Sequence, residues 1–152
     1  MSLPSKKLIL EHFDEKDAVM AGVIRRVGSF KLKRNQNYFQ VLCKAIVGQQ
    51  ISTKAAESIN HRFQNLFTNN RPTPKKVQGL EEKQLREVGL SGQKVKYMKD
   101  LSEKFIDRTV RPHRMPYQDN EEIIQQLTKV YGIGRWTAEM FLIFSLNRMD
   151  VL

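Results

Sequence analysis

The chemistry-bearing residues of this chain concentrate in one string, Leu127-Thr128-Lys129-Val130-Tyr131-Gly132-Ile133-Gly134-Arg135-Trp136-Thr137-Ala138. It reads as an apolar-faced helix, a turn with glycines two apart, and a second apolar helix. Gly132 and Gly134 permit backbone angles that a side chain forbids, and they let the main chain approach another surface closely. The helix that starts there presents free backbone N–H groups and the positive end of its dipole, a setting that binds phosphate. Lys129 and Arg135 flank the turn with formal charge. The backbone carbonyls of Thr128, Val130 and Ile133 could instead hold a hard cation of the Na/K type that bridges to a phosphate. Taken alone, a Gly-x-Gly serves equally well as punctuation between two core helices.

Other reactive residues are sparse. Cys43 is the single cysteine and lies in an apolar stretch, so it reads as a small buried hydrophobe and not as a nucleophile. One cysteine also excludes a disulfide scaffold, a multi-cysteine zinc site and an iron–sulfur cluster within this stretch. His12, His61 and His113 have no metal-ligand spacing and read as surface or structural residues. Glu81-Glu82 and Glu121-Glu122 look like solvated first turns of helices, not paired catalytic carboxylates. Lys31, Lys33 and Arg34 form a basic run, either a solvated face or a second phosphate contact.

Lysine plus arginine number 26 against 16 aspartate plus glutamate, a net charge of +10, so the natural partner is a polyanion. At 40% hydrophobic and 9% aromatic residues, the chain is too apolar for a disordered polycation. No run of about 18 apolar residues exists to span a membrane, and the Met-Ser-Leu start has no signal-peptide core. An anionic-membrane role would need an amphipathic helix with a lysine-rich face and exposed aromatics, and none is evident. The chain reads as soluble and intracellular, with no obligate protein partner evident.

The elements that must position this chemistry are helices joined by short polar loops. No stretch shows sustained period-two alternation, so the fold class is all-α. The pattern predicts helices over residues 6–13, with a break at 14–16, then 17–27, 38–47, 53–66, from Pro74, 81–88, 93–107, 121–130 and 135–146. Ser52, Thr73-Pro74 and Asp119 or Asn120 are the start signals, and Gly28 and Gly89 are stops.

The whole string over 127–138 is similar to the helix-hairpin-helix of a DNA glycosylase superfamily, the one that includes 3-methyladenine DNA glycosylase II and endonuclease III. Two more segments look like that family, in the family's order. Ala45-Ile46-Val47-Gly48-Gln49-Gln50-Ile51-Ser52 resembles the minor-groove wedge of the alkylation-repair branch. Leu90-Ser91-Gly92-Gln93-Lys94-Val95 resembles its second DNA-facing loop. The resemblance covers residues 38–152.

It implies a compact helical bundle of two lobes, a single domain over 1–152 with the hairpin at about 121–146. It implies an enzyme that bends duplex DNA and rotates a damaged nucleotide into a pocket, because a base inside a duplex cannot be reached. Gln50 matches the wedge, with Gln49 and Ser52 beside it; Ser91, Gly92 and Lys94 match the second contact; Gly132, Gly134, Arg135 and Thr137 match the phosphate grip. Without the family match, Gln49-Gln50 would read as a solvated helix break. Where strand-cleaving members carry a Schiff-base lysine, this chain has Trp136, so the reading is a monofunctional glycosylase without lyase activity. The indole can wall a base pocket and attract a cationic N-alkylated purine by ~0.5–2 kcal/mol. Its bland alternative is a core anchor between helices.

The family's catalytic aspartate follows the second hairpin helix, and its matching position falls a few residues beyond Leu152. Asp150 matches a residue before it. The sequence therefore predicts a domain incomplete at its C-terminus, with no catalytic residue of its own and an under-covered apolar face at Phe141, Leu142, Phe144 and Leu146. The 152 residues would be inactive and the longer protein an active DNA-3-methyladenine glycosylase in base-excision repair. No cofactor is required. The partner is double-stranded DNA with alkylated bases, in the nucleoid of a bacterium or the nucleus of a eukaryote. The competing class is a helix-hairpin-helix module that only holds DNA.

Overall fold

The computed structural model describes residues 5–28 and 35–151, and the basic run of Lys31, Lys33 and Arg34 lies outside them. The described residues form helices and turns, with no strand among them, as the patterning predicts. The chain divides into two units, Met1–Leu32 and Lys33–Leu152.

The first unit holds α1 (Lys6–Lys16) and α2 (Ala18–Val27). Ser5 caps α1 through its side chain, and the Asp17 carboxylate accepts the N–H groups of Val19 and Met20 to start α2. The predicted break at 14–16 does not occur. Asp14, Glu15 and Lys16 contain no helix breaker, and the turn falls at Asp17, whose N–H donates back to Phe13 O at 2.7 Å. Asp14 instead pairs with Arg25 across the two helices.

The second unit runs α3 (Tyr38–Gly48), α4 (Thr53–Asn65), α5 (Pro74–Gly79), α6 (Glu82–Glu87), α7 (Gly92–Ile106), α8 (Asn120–Leu127) and α9 (Arg135–Leu146). Apolar residues recur along α3 at helical spacing on more than one side, so it is the central rod. Tyr38, Phe39, Leu42, Cys43, Ile46 and Val47 are all buried, against α4, α7 and α9. Each such side chain taken fully out of water contributes roughly 1.5–3 kcal/mol. Phe39 meets Phe105 of α7, and Tyr38 meets Phe141 of α9, both edge to face. Burial pushes the Cys43 thiol far up, which keeps it protonated and inert.

Two further expectations need correction. The helix before the hairpin ends at Leu127, not Val130. The Thr128 hydroxyl donates to Ile124 O at 2.8 Å, and the chain then tightens through Val130 N–H to Leu127 O at 3.0 Å. The apolar face of α9 is not broadly under-covered either. Phe141, Leu142 and Leu146 are buried because α3 and α8 pack on them, and of the four named residues only Phe144 stands exposed, at 54%.

Candidate nucleic-acid interface and cleft

Three turns carry the predicted site: residues 48–52 between α3 and α4, residues 90–92 before α7, and residues 131–134 between α8 and α9. The tertiary structure joins them. Gln49 Nε2 donates to Gly132 O at 2.6 Å, across 83 residues of sequence. Lys94, in the first turn of α7, donates from Nζ to Val47 O at 2.7 Å and to Gln49 O at 2.9 Å. Val47 O is among the last carbonyls of α3, which no helical N–H can reach, and Gln49 O belongs to its C-cap. Partial burial pulls the Lys94 ammonium below the ordinary lysine range. Lys94 therefore reaches onto the end of α3, which engages two of its three ammonium N–H groups.

Gln50 is exposed, and its backbone sits in the left-handed region at φ 55°. For a residue with a Cβ that conformation costs roughly 1–2 kcal/mol, a strain that concentrates at functional positions. Ser52 and Ser91 are occupied as helix caps. The Ser52 hydroxyl accepts from Ala55 N and the Ser91 hydroxyl from Lys94 N. Gly92, the first residue of α7, is exposed beside them.

The two hairpin glycines differ in what the fold asks of them. Gly132 sits at φ +81°, and a Cβ there would overlap the Tyr97 ring. Gly134 sits at φ −87°, which any residue adopts, so the expectation of special backbone freedom fails there. Nothing lies within 4 Å of where its Cβ would be, so the fold itself does not demand glycine there. Gly134 is also the N-cap of α9, the one α-helix among the described residues with neither a side-chain cap nor a capping box. The first N–H groups of α9 point past a bare glycine into the open, next to Arg135 and the half-buried Thr137.

Arg135 is less available than its sequence position suggests. Its guanidinium is bidentate to Glu121, at 3.1 and 2.8 Å, and also meets Glu139 at 3.0 Å. The hydrogen bond to Arg135 holds the Glu121 carboxyl below the ordinary glutamate range. Glu121 is thus a hairpin staple and not a merely solvated first-turn residue, while Glu122 closes a capping box with Asp119. Lys129 is exposed and makes no ion pair among the described residues, so it is the free cation of the turn. Asp100, on α7, accepts the Tyr131 N–H at 2.8 Å. Of the carbonyls offered to a cation, Val130 O already accepts Ile133 N–H at 3.1 Å. Thr128 O and Ile133 O accept no donor among the described residues.

Beside the joined turns opens a cleft of about 830 Å³. Gly48, Gln49 and Gln50 form one rim, with Val41, Lys44 and Ala45 of α3 below. Trp136, Met140 and Phe144, one helical turn apart on α9, form the facing wall. Trp136 is 70% exposed and so is not a core anchor; Ala138, Phe141 and Leu142 hold α9 in place instead. Ser145 also lines the cleft, 1% exposed, and its hydroxyl has no hydrogen-bond partner. Sequence reasoning missed Ser145, Tyr97 and Asp100, because none lies in a recognisable motif and each matters through what it meets in space. No aspartate or glutamate lines the cleft among the described residues, and Asp150 is exposed outside it. No group of three histidine, cysteine, aspartate or glutamate residues is placed to hold a metal among them.

A family profile for HhH-GPD superfamily base excision DNA repair proteins matches residues 43–149. The chain is 34% identical over 146 residues to DNA-3-methyladenine glycosylase 1 of Schizosaccharomyces pombe, covering 93% of this chain and 64% of that protein. Its fold matches the crystal structure of a DNA-3-methyladenine glycosidase from Bacillus halodurans with a TM-score of 0.81 at 33% identity, covering 91% of this chain and 64% of that one. It matches a 3-methyladenine DNA glycosylase of fission yeast in complex with abasic DNA with a TM-score of 0.81 at 33% identity, covering 94% of this chain and 72% of that one. The chain thus spans just under two thirds of the first curated relative it matches.

Proposed function

We propose, for a chain that belongs to the HhH-GPD superfamily of base excision DNA repair proteins, that its site grips duplex DNA and accepts an alkylated purine turned out of the stack. The observation that carries this reading is the cleft between Gln50 and Trp136, opening beside the bare N-terminus of α9. The α9 amides and Lys129 would take a phosphate. Gln50 would enter the gap left by the flipped nucleotide. The Trp136 face would receive a base that alkylation has made cationic. The relatives named for 3-methyladenine support that substrate class.

With tryptophan at position 136 the site has no amine there for Schiff-base chemistry, which supports hydrolysis without strand cleavage. Breaking the N-glycosidic bond needs a carboxylate to stabilise the oxocarbenium-like sugar and orient water. The cleft lining contains none among the described residues, so we assign grip, wedge and base pocket to this stretch and bond cleavage to a carboxylate outside that lining. The carbonyls of Thr128, Val130 and Ile133 are the donors a Na/K-type cation would use to reinforce the phosphate grip. A module that only holds DNA would gain nothing from an exposed indole on an open cleft, which tells against that alternative. The partner is genomic DNA in nucleoid or nucleus.

The test is binding of wild type and Trp136→Ala to three duplexes of one sequence: intact, with an abasic analogue, and with an N-methylpurine. Wild type should prefer the damaged duplexes. Trp136→Ala should unfold like wild type, since the indole is 70% exposed, and lose about 2- to 30-fold in affinity for an N-methylpurine duplex. Equal affinity of wild type for the intact and abasic duplexes would overturn the reading.

A further inference from the structure

Lys94, Tyr97 and Asp100 recur at intervals of three along α7, so they share one face of that helix. Each meets a different part of the two DNA-facing turns. Lys94 holds the carbonyls of Val47 and Gln49, immediately before strained Gln50. Tyr97 lies against Gly132, where a side chain would collide with its ring. Asp100 accepts the N–H of Tyr131. Gln49 completes the arrangement from the other side by donating to Gly132 O.

A methionine or leucine would fill the Lys94 position without desolvating a charge, and it would leave the last carbonyls of α3 unpaired. A cation placed there sets where α3 stops. It also complements the negative end of that helix. The direction in which Gln50 leaves the helix then depends on Lys94 together with the Gln49 bond to Gly132 O, because the only backbone bond at the α3 cap is the 3.4 Å one from Gln49 N to Ile46 O. Asp100 plays the equivalent part for the glycine turn. It fixes the Tyr131 amide just ahead of Gly132, and the open space beside the turn begins at Gly134.

We propose that this face of α7 brackets the Gln49-Gln50 turn to the Gly132–Gly134 turn, so that wedge and phosphate grip engage DNA as one unit. Lys94 and Asp100 are its positioning residues and touch no substrate. The proposal rests on the reading of the site as a DNA grip with a wedge at Gln50.

A double-mutant cycle separates coupling from bulk stability. The probe is a duplex carrying a tetrahydrofuran abasic analogue with 2-aminopurine beside it, read by affinity and by fluorescence, with a thermal melt of every variant. In the wild-type background Gln50→Ala should weaken binding about tenfold and change the 2-aminopurine signal. In a Lys94→Met background the wedge is already misplaced, and Gln50→Ala should then cost less than about twofold. Asp100→Ala opens the bracket at its hairpin end and should reduce the Gln50→Ala effect in the same direction. It decides the question alone if Lys94→Met does not fold. The same factor for Gln50→Ala in every folded background would overturn the bracket while leaving the DNA-binding reading intact. A wild-type protein that does not distinguish the abasic duplex from the intact one would overturn that reading and the bracket with it.

Discussion

The two turns that face the proposed DNA solve the problem of contact in opposite ways. At residues 131–134 the main chain itself is presented, with side chains removed: Gly132 yields to Tyr97, and Gly134 leaves the α9 amides bare. At residues 48–52 a side chain is presented, and the main chain carries strain to do so, with Gln50 held at φ 55°. A backbone site is damaged by adding atoms. A side-chain site is damaged by removing them. The chemistry follows: a phosphate oxygen accepts from several N–H groups at once, whereas a gap in a base stack must be filled by volume.

The sharpest way to break this contrast is to add atoms at each glycine. Gly132→Ala should destabilise the protein by about 3 kcal/mol or more, because the new Cβ meets both a left-handed backbone and the Tyr97 ring. Urea unfolding would show it, and normal stability would mean that the ring moves freely. Gly134→Asp should leave the protein folded and the melt unchanged or slightly higher, because its Cβ enters open space and an aspartate can cap the bare start of α9. Its carboxylate at the phosphate approach should reduce DNA affinity about 100-fold at low salt. A variant that bound with an unaltered salt dependence would remove the glycine turn from the interface.

The wedge side should respond in the reverse sense. Gln50→Gly relieves the left-handed backbone and should raise stability by ~1 kcal/mol in denaturant. It should also weaken binding to the abasic duplex, since the filling side chain is gone. Lower stability together with unchanged binding would contradict the assignment. The smallest effect concerns the staple between the hairpin helices. Glu121 is held below its ordinary range by Arg135, so its contribution is complete above the ordinary glutamate range and is lost as pH falls through the lower folded value. Glu121→Gln should therefore match wild type in strong acid and melt slightly earlier near neutrality. A constant difference at every pH would show that the pair does not act through charge.

The all-helical class, the caps at Ser52 and Thr73, the start at Asp119 or Asn120, and the glycine turn were legible from local pattern alone. Each is a contest among neighbouring residues in the chain. The family membership was legible too, from three short segments in order. Neither local pattern nor the resemblance shows which acceptors the charged groups meet. Lys94 and Arg135 match phosphate contacts by resemblance, and in the fold Lys94 also donates to the end of α3 and Arg135 to Glu121 and Glu139. A cation's partner is whichever acceptor folding brings within reach, and here that acceptor lies up to 47 residues away in sequence.

Sequence by itself determined the helices, most of their starts and stops, and the residue types offered to DNA, because those depend on interactions within a turn or two. Tertiary structure decided that Trp136 faces a cleft and not the core, that Gly132 must stay bare for Tyr97, and that the Gln49-Gln50 and glycine turns share one edge. These outcomes depend on which faces of α3, α7 and α9 remain uncovered after packing, and no local pattern contains that information.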